Sequence, residues 1–379
     1  MRLDALLADA VRPQAPGIRA QVAGAVAVVA RGAVLAYEGA HGLAQTHDAG
    51  TPLADPPSVH CATRFDIASV TKLVATTAAV VALVDRAELR LTDRLETVLP
   101  DLAAGAVDPR FPELTVAQLL SHRAGLAAWE PTYLHAGEAA GALARVAALP
   151  LVSPPGRQRR YSDLSMMLLG AVVEATTRQP LAAAVERLVL GPVGLTSTGY
   201  GPVDAPVAAT SWGNPYERRM IATGEPHPVH GDPDTFDGWR TYTLVGEVND
   251  ANAYHAFGGV AGHAGLFSTA ADLTAFARVL LDGLAGRDTP LAAAPVIRRF
   301  LAPRSGPVLG AWQDRLDPVL GAGSGGLGHA GFTGCELLLD PVRDLIVVLL
   351  TNRQHPGEPY PSLGPLWHRL LGVVLGSAR

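Results

Sequence analysis

Strand-forming segments lie near both ends of the sequence and constrain the fold more than any other feature. Small and β-branched residues run through 21–30 and 33–37, with a turn at Arg31-Gly32 between them. Two further apolar runs, 336–339 and 345–350, flank a turn at 340–344. Paired segments of this kind predict β-hairpins. We therefore expect one α/β domain whose sheet receives strands from both ends of the chain.

Helical patterns fill most of the sequence between these hairpins. They cover 115–122, 137–148, 163–178 and 181–190, a further helix capped by Ser268 or Thr269 runs to about residue 281, and short helices are expected at 3–11 and 362–375. Residues 199–262 are rich in Gly, Pro and Asp, which predicts long ordered loops. The predicted fold is α/β: an antiparallel sheet flanked by helices, from about 1–75 and 320–379, with an all-helical, loop-rich insert over about 76–319.

Composition limits the kinds of partner. With 379 residues, 48% hydrophobic and 17% charged, the chain can bury a large core as one catalytic unit. A net charge of -5 provides no broad basic field, so nucleic acid is not an expected partner. Oligomeric state stays open.

Neither a signal peptide nor a membrane span is evident. Asp4 and Asp9 interrupt the first apolar residues, and no later apolar stretch reaches about 18 residues. Cys61 and Cys335 are too few for a disulfide framework, which favours a reducing compartment. The expected location is cytoplasmic, without a membrane partner.

Lys72 is the only lysine in the chain, since 29 of the 30 basic residues are arginine. An amine can lose its proton when its surroundings demand it, whereas a guanidinium cannot. Ser69 precedes Lys72 by three residues, and an apolar run from Leu73 to Val84 predicts a helix that places both side chains on one face. This pattern suits a serine nucleophile with an amine partner, although a capping serine beside an ordinary solvated lysine would give the same spacing.

Two later segments supply candidate partners. Tyr161 immediately precedes a predicted helix, and a nearby ammonium would favour its phenolate form. A packing tyrosine is the simpler alternative. Near the second hairpin, the glycine-rich run Gly328–Cys335 lets the backbone approach a ligand closely, and the N–H of Phe332 is a candidate oxyanion donor.

Together these segments resemble the serine β-lactamase-like hydrolases, the group of class C β-lactamases, penicillin-binding D-alanyl-D-alanine carboxypeptidases and related esterases. The family order S-x-x-K, Y-x-N and K-T-G or H-x-G is matched at Ser69, Tyr161 and His329. Leu119–Leu126, Gly258–Thr269 and Thr351–Arg353 look like further family segments. The resemblance implies a β-lactamase-like fold, Ser69 as nucleophile, Lys72 as its base partner, Tyr161 as a proton shuttle, and the N–H groups of Ser69 and Phe332 as the oxyanion hole.

Two departures from the family pattern concern the substrate-binding positions. Asp163 replaces the usual asparagine and exchanges an amide for a carboxylate, which leaves open whether Lys72 or Tyr161 is the base. In the third motif His329, Ala330 and Gly331 stand where the family has Lys, Thr and Gly, so two groups that would hold a substrate carboxylate are weakened.

Other residues give weaker evidence of a metal site or a substrate pocket. His255 and His263 could join Asp250 at a metal, but their spacing lacks a recognisable ligand pattern, so we expect no metal and no cofactor. Trp129, Tyr133 and Trp239 could line an acyl pocket or simply belong to the core.

The sequence therefore predicts a serine hydrolase that forms an acyl-enzyme at Ser69 and cleaves small acyl esters or amides in the manner of an esterase. The substrate is expected to be a small ester, amide or peptide. A D-alanyl-D-alanine carboxypeptidase or weak β-lactamase, an acyltransferase, and a non-catalytic binding protein of the same fold stay as alternatives.

Overall fold

A five-stranded antiparallel sheet joins the two ends of the chain. The computed structural model describes residues 2–13, 20–229, 231–302 and 306–376. The strands in these residues are β1 Gly24–Arg31, β2 Val34–Gly42, β3 His47–Asp48, β4 Thr51–Pro52, β5 Phe65–Asp66, β6 Gly199–Tyr200, β7 Ala209–Trp212, β8 Thr243–Val245, β9 Leu266–Ser268, β10 Leu327–Gly331, β11 Cys335–Asp340 and β12 Leu345–Thr351. The large sheet has the order β10-β11-β12-β1-β2, which confirms the expected sharing of strands between the two ends.

Helices surround this sheet and fill the middle of the chain. The α-helices are α1 Arg2–Ala10, α2 Ala78–Asp85, α3 Leu95–Val98, α4 Pro100–Ala104, α5 Val116–Leu120, α6 Ala139–Ala148, α7 Asp163–Thr177, α8 Leu181–Val185, α9 Gly191–Val193, α10 Pro215–Thr223, α11 Ala270–Leu284, α12 Ala294–Leu301, α13 Asp317–Leu320 and α14 Gly364–Gly376. Tighter 3-10 turns occur at Ala68–Val70, Phe111–Glu113, Thr132–Leu134 and Pro233–Thr235, and wider π-helical segments at Lys72–Thr77, Glu186–Leu190 and Asn252–Ala256.

Both faces of the sheet are buried, and alternate side chains of β1 enter different cores. Ala25 and Ala27 pack with Leu7 of α1 and Trp367 of α14. Val26 and Val28 belong to the larger core, which also contains residues of α2 and α11. Since side chains alternate along a strand and both faces are buried, this interior strand is apolar at nearly every position.

The central helix, a continuous helix over residues 68–85, crosses the larger core and carries the S-x-x-K motif at its start. It begins as the 3-10 turn, widens through Lys72–Thr77, and ends as α2. Its length and hydropathy would match a membrane span, but 83% of it is buried inside the protein, as in a core helix. The helix therefore holds Ser69 and Lys72 on a rigid, internally packed support.

The middle of the chain is mainly helical, yet it is not all-helical as expected. It supplies strands to two small sheets, of order β5-β9-β6 and β7-β8. Helix α10 also lies in the region that the sequence predicted as loops, and α5 ends at Leu120, shortly before the end of the predicted helix at residue 122. The division at residues 76 and 319 stays a prediction; α11, from inside that range, packs on β1, β11 and β12.

Candidate active site

Ser69 lies in a sharply bent turn at the start of the central helix. The preceding residue, Ala68, has φ of 47°, a left-handed conformation that strains a residue with a side chain. N–H groups in the first turn of a helix have no partner inside that helix, so they remain available to an oxygen outside it. This turn presents the hydroxyl and backbone N–H of Ser69 together, as acyl transfer requires.

Asp66 fixes the conformation of this turn. Its carboxylate accepts hydrogen bonds from the N–H of Ala68 at 2.8 Å and of Asn249 at 2.6 Å, and its backbone carbonyl accepts one from the Thr333 hydroxyl at 2.6 Å. Burial raises the pKa of Asp66 to about 6, while the two N–H donors partly offset this effect. One buried residue thus connects the serine turn, the loop at 249 and the glycine-rich turn after β10.

Lys72 Nζ meets three oxygen atoms. It donates to Ser69 Oγ at 2.7 Å and to the carbonyl of His263 at 2.9 Å, and it forms an ion pair with Asp163 Oδ1 at 2.8 Å. The lysine side chain is fully buried. An ammonium has three N–H donors and no lone pair, so this environment matches the charged form of Lys72. The structure confirms the predicted contact between Ser69 and Lys72.

The protonation of this cluster follows from its charges. Burial alone would lower the pKa of Lys72, but the charge of Asp163, together with Tyr161, raises it above the ordinary lysine value. Burial raises the pKa of the Tyr161 phenol, and the opposing effect of Lys72 does not cancel that increase. At neutral pH both Lys72 and Tyr161 therefore carry their protons.

Tyr161 is enclosed by rings and lies beside both members of the S-x-x-K motif. Its hydroxyl interacts with Ser69 and Lys72. Its ring contacts His122 at 4.7 Å, Trp312 at 5.6 Å and His329 at 5.9 Å between ring centroids. The structure thus brings the three predicted catalytic side chains together, although their individual roles stay predictions.

Strand β10 runs directly beside the serine turn. A Cβ on Gly331 would lie 2.4 Å from the carbonyl oxygen of Ile67, so only glycine permits this approach. The next residue, Phe332, borders the same cavities as Ser69. This placement is compatible with the predicted oxyanion hole formed by the N–H groups of Ser69 and Phe332.

The positions expected to bind substrate differ in their exposure. Ala330 and Gly331 line an open pocket of about 340 Å³ next to Ser69. His329 is 1% exposed, and burial lowers its pKa well below the ordinary value, so the ring is neutral and packs under Tyr161. Asp163 forms the ion pair with Lys72. Neither His329 nor the paired oxygen of Asp163 therefore offers a free group to substrate.

A second, more enclosed cavity of about 200 Å³ begins at Ser69 and extends in another direction. Trp129, Tyr216 and Met220 form apolar parts of its wall, and Glu217, Asn249 and Asp250 lie among its polar lining residues. Tyr133 and Trp239 do not line this cavity; they pack against each other and against Phe236.

Several groups in the site carried no recognisable signal in the sequence. The contribution of His263 is its backbone carbonyl, which no side-chain pattern reveals, and its Nε2 lies 3.0 Å from Asp250 Oδ1. Asp66 and Glu217 were also missed. Residues His255, His263 and Asp250 do not assemble a metal site: the described ranges contain no group of three or more histidine, cysteine, aspartate or glutamate side chains placed to hold an ion.

Comparisons with known proteins agree with this geometry. The family model described as Beta-lactamase matches residues 3–371. A putative D-alanyl-D-alanine carboxypeptidase of Escherichia coli strain K12 is 31% identical over 354 residues, which cover 87% of this chain and 78% of that protein.

Two solved structures share the fold. The octameric penicillin-binding protein homologue from Pyrococcus abyssi has a TM-score of 0.70 at 18% identity, over 99% of this chain and 78% of that one. EstCE1, a hydrolase with promiscuous acyltransferase activity, has a TM-score of 0.67 at 22% identity, over 93% and 92%.

These observations define a serine hydrolase with a β-lactamase-like fold. The chain belongs to the beta-lactamase family.

Proposed function

We propose that this protein hydrolyses small esters or amides in two steps through an acyl-enzyme at Ser69. The observation that carries the proposal is the contact of the buried Lys72 ammonium with both Ser69 Oγ and the Asp163 carboxylate. Because Lys72 and Tyr161 are protonated at neutral pH, Asp163 is the group of this cluster that can accept a proton.

The proposed acylation step passes protons among Ser69, Lys72, Asp163 and Tyr161. Lys72 first passes one ammonium proton to Asp163, and the resulting neutral amine takes the hydroxyl proton as Ser69 Oγ attacks the carbonyl carbon. Tyr161 donates its proton to the departing alcohol or amine as the carbonyl-to-leaving-group bond breaks. Lys72 then returns a proton to Tyr161 and recovers one from Asp163, which becomes a carboxylate again. Water then attacks the acyl-enzyme and releases the acid with Ser69 restored.

Recognition of a substrate carboxylate has little support on the open side of Ser69. Arg353 is the one cationic side chain that lines the open pocket in the described residues, and its guanidinium donates to the carbonyls of Phe332 and Pro361. Arg315 pairs with Glu336. The neighbouring cations are therefore engaged, which favours a leaving group without a carboxylate.

The second candidate is D-alanyl-D-alanine carboxypeptidase activity. It is favoured by the name given to the Escherichia coli relative, which is 31% identical. That activity acts on a peptide ending in a carboxylate, whereas Arg353, the cation that lines the open pocket, already donates to two backbone carbonyls. The two candidates therefore predict different orders of substrate preference.

A direct comparison of substrates tests the proposal. Purified protein is assayed with p-nitrophenyl acetate, a D-Ala-D-Ala peptide and nitrocefin, with Ser69→Ala as the control, and the intact mass is recorded after a fluorophosphonate. We expect ester turnover that is lost in Ser69→Ala, together with one adduct on Ser69. Preference for the D-Ala-D-Ala peptide would support the second candidate. Full ester turnover by Ser69→Ala, or failure of every acyl donor to modify Ser69, would contradict the mechanism.

A further inference from the structure

A groove outside the two pockets of Ser69 is large and carries positive charge. It consists of two adjoining cavities of about 830 and 690 Å³, which share Arg123, Gly156 and Pro307 in their walls. Both cavities are larger than the open pocket and the enclosed cavity beside the nucleophile, and Ser69 lines neither of them. The proposed hydrolysis therefore gives this groove no role.

Four arginines line it, and we call it the arginine groove: Arg298 and Arg299 of α12 line the first cavity, Arg159 lines the second, and Arg123 lines both. Among the residues that the structure describes, none of these four guanidinium groups forms an ion pair, and Asp314 is the one acidic residue in the walls. The whole chain has a net charge of -5, so this concentration of unpaired cations is a local feature. Such a surface attracts anions.

Backbone hydrogen bonds hold the walls of the arginine groove in place. The N–H of Gly156 donates to the carbonyl of Arg123 at 2.7 Å, which fixes the arginine-rich loop beside the end of α5. On α12, the carbonyl of Phe300 accepts from the N–H of Leu309 at 2.9 Å, and the next N–H donates to the carbonyl of Leu120 at 3.0 Å. The groove is therefore formed before a ligand arrives, which lowers the entropic cost of binding.

The first cavity presents hydrogen-bond donors that call for an acceptor. Arg123 Nε is buried without a partner in the described chain, and its Nη1 lies 3.5 Å from the carbonyls of both Gly156 and Arg157. Gln118 Oε1 accepts from the N–H of Thr115 at 2.9 Å, which fixes the amide, and a Cβ on Gly156 would lie 3.9 Å from its donor end, Nε2. Buried donors normally have a partner, so these walls lack an acceptor.

Trp312 provides a further donor in the second cavity. Its Nε1 is also buried without a partner over the described ranges. Trp312 lines the open pocket as well, and its ring contacts the ring of Tyr161. The arginine groove and the catalytic cluster therefore lie on two sides of one side chain.

The chemical group that complements these walls is a phosphate. Its terminal oxygens are acceptors, it carries up to about two negative charges, and a guanidinium binds it through two parallel hydrogen bonds. Cations line both cavities, so a ligand that pairs with all of them needs more than one phosphate group. Leu91, Pro295 and Leu309 form apolar parts of the first cavity and suit the organic part of such a ligand.

We propose that the arginine groove binds a small organic molecule with at least two phosphate groups, at a site separate from the pockets of Ser69. The phosphates pair with Arg123, Arg159 and the two arginines of α12, and the ligand borders Trp312 without contacting the nucleophile. This inference does not depend on the proposed hydrolysis at Ser69.

Calorimetry of the wild-type chain with simple anions tests the proposal. Inorganic pyrophosphate is the probe, and succinate, a dicarboxylate, is compared with it at pH 7 and equal ionic strength. We expect pyrophosphate to bind at least about 10-fold more tightly, because it offers more charge and more acceptor oxygens to the same guanidinium groups. Equal affinity for the two anions, or no binding of pyrophosphate, would overturn the proposal.

A double variant separates a defined site from general attraction between charges. Arg159→Gln with Arg299→Gln removes one exposed cation from each cavity, and Arg187→Gln, exposed on another helix, is the matched control. We expect the double variant to bind pyrophosphate at least about 10-fold more weakly, with an unchanged melting temperature of the ligand-free protein, and the control to stay within about twofold. Undiminished binding by the double variant, or an equal loss in Arg187→Gln, would contradict the site.

A crystal structure of the wild-type chain with pyrophosphate locates the anion directly. We expect it between Arg123 and Arg159 or beside Arg299. Pyrophosphate bound only at Arg353, in the open pocket, would overturn the proposal of a separate site.

Discussion

The ammonium of Lys72 connects Asp163 to the nucleophile: Nζ lies 2.8 Å from Asp163 Oδ1 and 2.7 Å from Ser69 Oγ. In the resembling family an asparagine amide stands at the position of Asp163. An uncharged amide cannot balance the charge of the Lys72 ammonium, whereas the carboxylate favours this charged form of the lysine. Under the proposed mechanism, this single difference moves the proton acceptor of the site from the amine of Lys72 to the carboxylate of Asp163.

Replacing Asp163 by asparagine should move the basic group back to Lys72. Without the carboxylate, burial lowers the pKa of Lys72, so the amine can lose its proton as pH rises through this lowered value, and the neutral amine then serves as the base. We expect kcat at pH 7 to fall by about 100-fold and to recover as pH rises. A pH profile of kcat and kcat/KM from pH 5 to 10 measures this change. Undiminished activity of Asp163→Asn at pH 7 would rule out the carboxylate as proton acceptor.

Tyr161→Phe removes the phenol that donates to the leaving group and keeps the ring among His122, Trp312 and His329. We expect kcat for ester hydrolysis to drop by about 100- to 10,000-fold, the usual contribution of general acid-base catalysis, with little change in melting temperature. Tyr37→Phe, on strand β2, is the matched control and should retain activity. A Tyr161→Phe enzyme within tenfold of the wild type would remove the tyrosine from the proton path.

Gly331→Ala tests the close approach of β10 to the serine turn. The new Cβ would lie 2.4 Å from the carbonyl oxygen of Ile67, so one of the two segments must move. We expect loss of at least about 100-fold in kcat/KM, because the displacement alters the geometry of the oxyanion hole. Gly137→Ala is the control, since a Cβ there has no neighbour within 4 Å. Steady-state kinetics measure the activity, and far-UV circular dichroism measures the folding. A Gly331→Ala protein that is folded and fully active would contradict the need for this close approach.

Buried neutral histidines should make the fold sensitive to mild acid. Burial, with the charges of Lys72 and Arg159, lowers the pKa of His122 to about 3. Between about pH 6.5 and pH 3 the unfolded chain therefore binds the proton and the folded chain does not, so this residue's contribution to the free energy of unfolding falls as pH falls. The slope is at most about 1.4 kcal/mol per pH unit for one histidine.

Urea unfolding at pH 7.0 and pH 5.5 measures this effect. His122→Asn retains an acceptor for the N–H of Ser162, which donates to His122 Nδ1 at 3.2 Å. We expect the variant to lose less stability than the wild type between the two pH values. The same loss in both proteins would show that His122 is not the group responsible.

The sequence predicted the parts of the site that depend on local spacing. Ser69 and Lys72 are one helical turn apart, so their contact follows from the helix that the apolar run specifies. The hairpins at the two ends follow similarly from alternating apolar residues and turn residues. The helix predicted from residue 115 begins with a capping pair of Thr115 and Gln118, which is likewise a local feature.

Long-range contacts could not be predicted from the sequence in the same way. The carbonyl of His263 reaches Lys72 only through the packing of the loop at 258–265 against the central helix, and backbone atoms carry no residue type. Glu217 sits on α10, a short helix of mixed polar composition inside a segment rich in Gly and Pro, where tertiary packing outweighs local propensity. The sequence showed a carboxylate at position 163, but its approach to Lys72 depends on tertiary packing.

Strand β1 pairs along its whole length with β12, from Ala25 opposite Thr351 to Arg31 opposite Leu345. During synthesis the ribosome therefore releases the reactive serine and lysine long before the partner that completes their supporting framework. A nonsense mutation before β12 would therefore remove a strand paired along the whole of β1, although Ser69, Lys72 and Tyr161 would all be present in the shortened product.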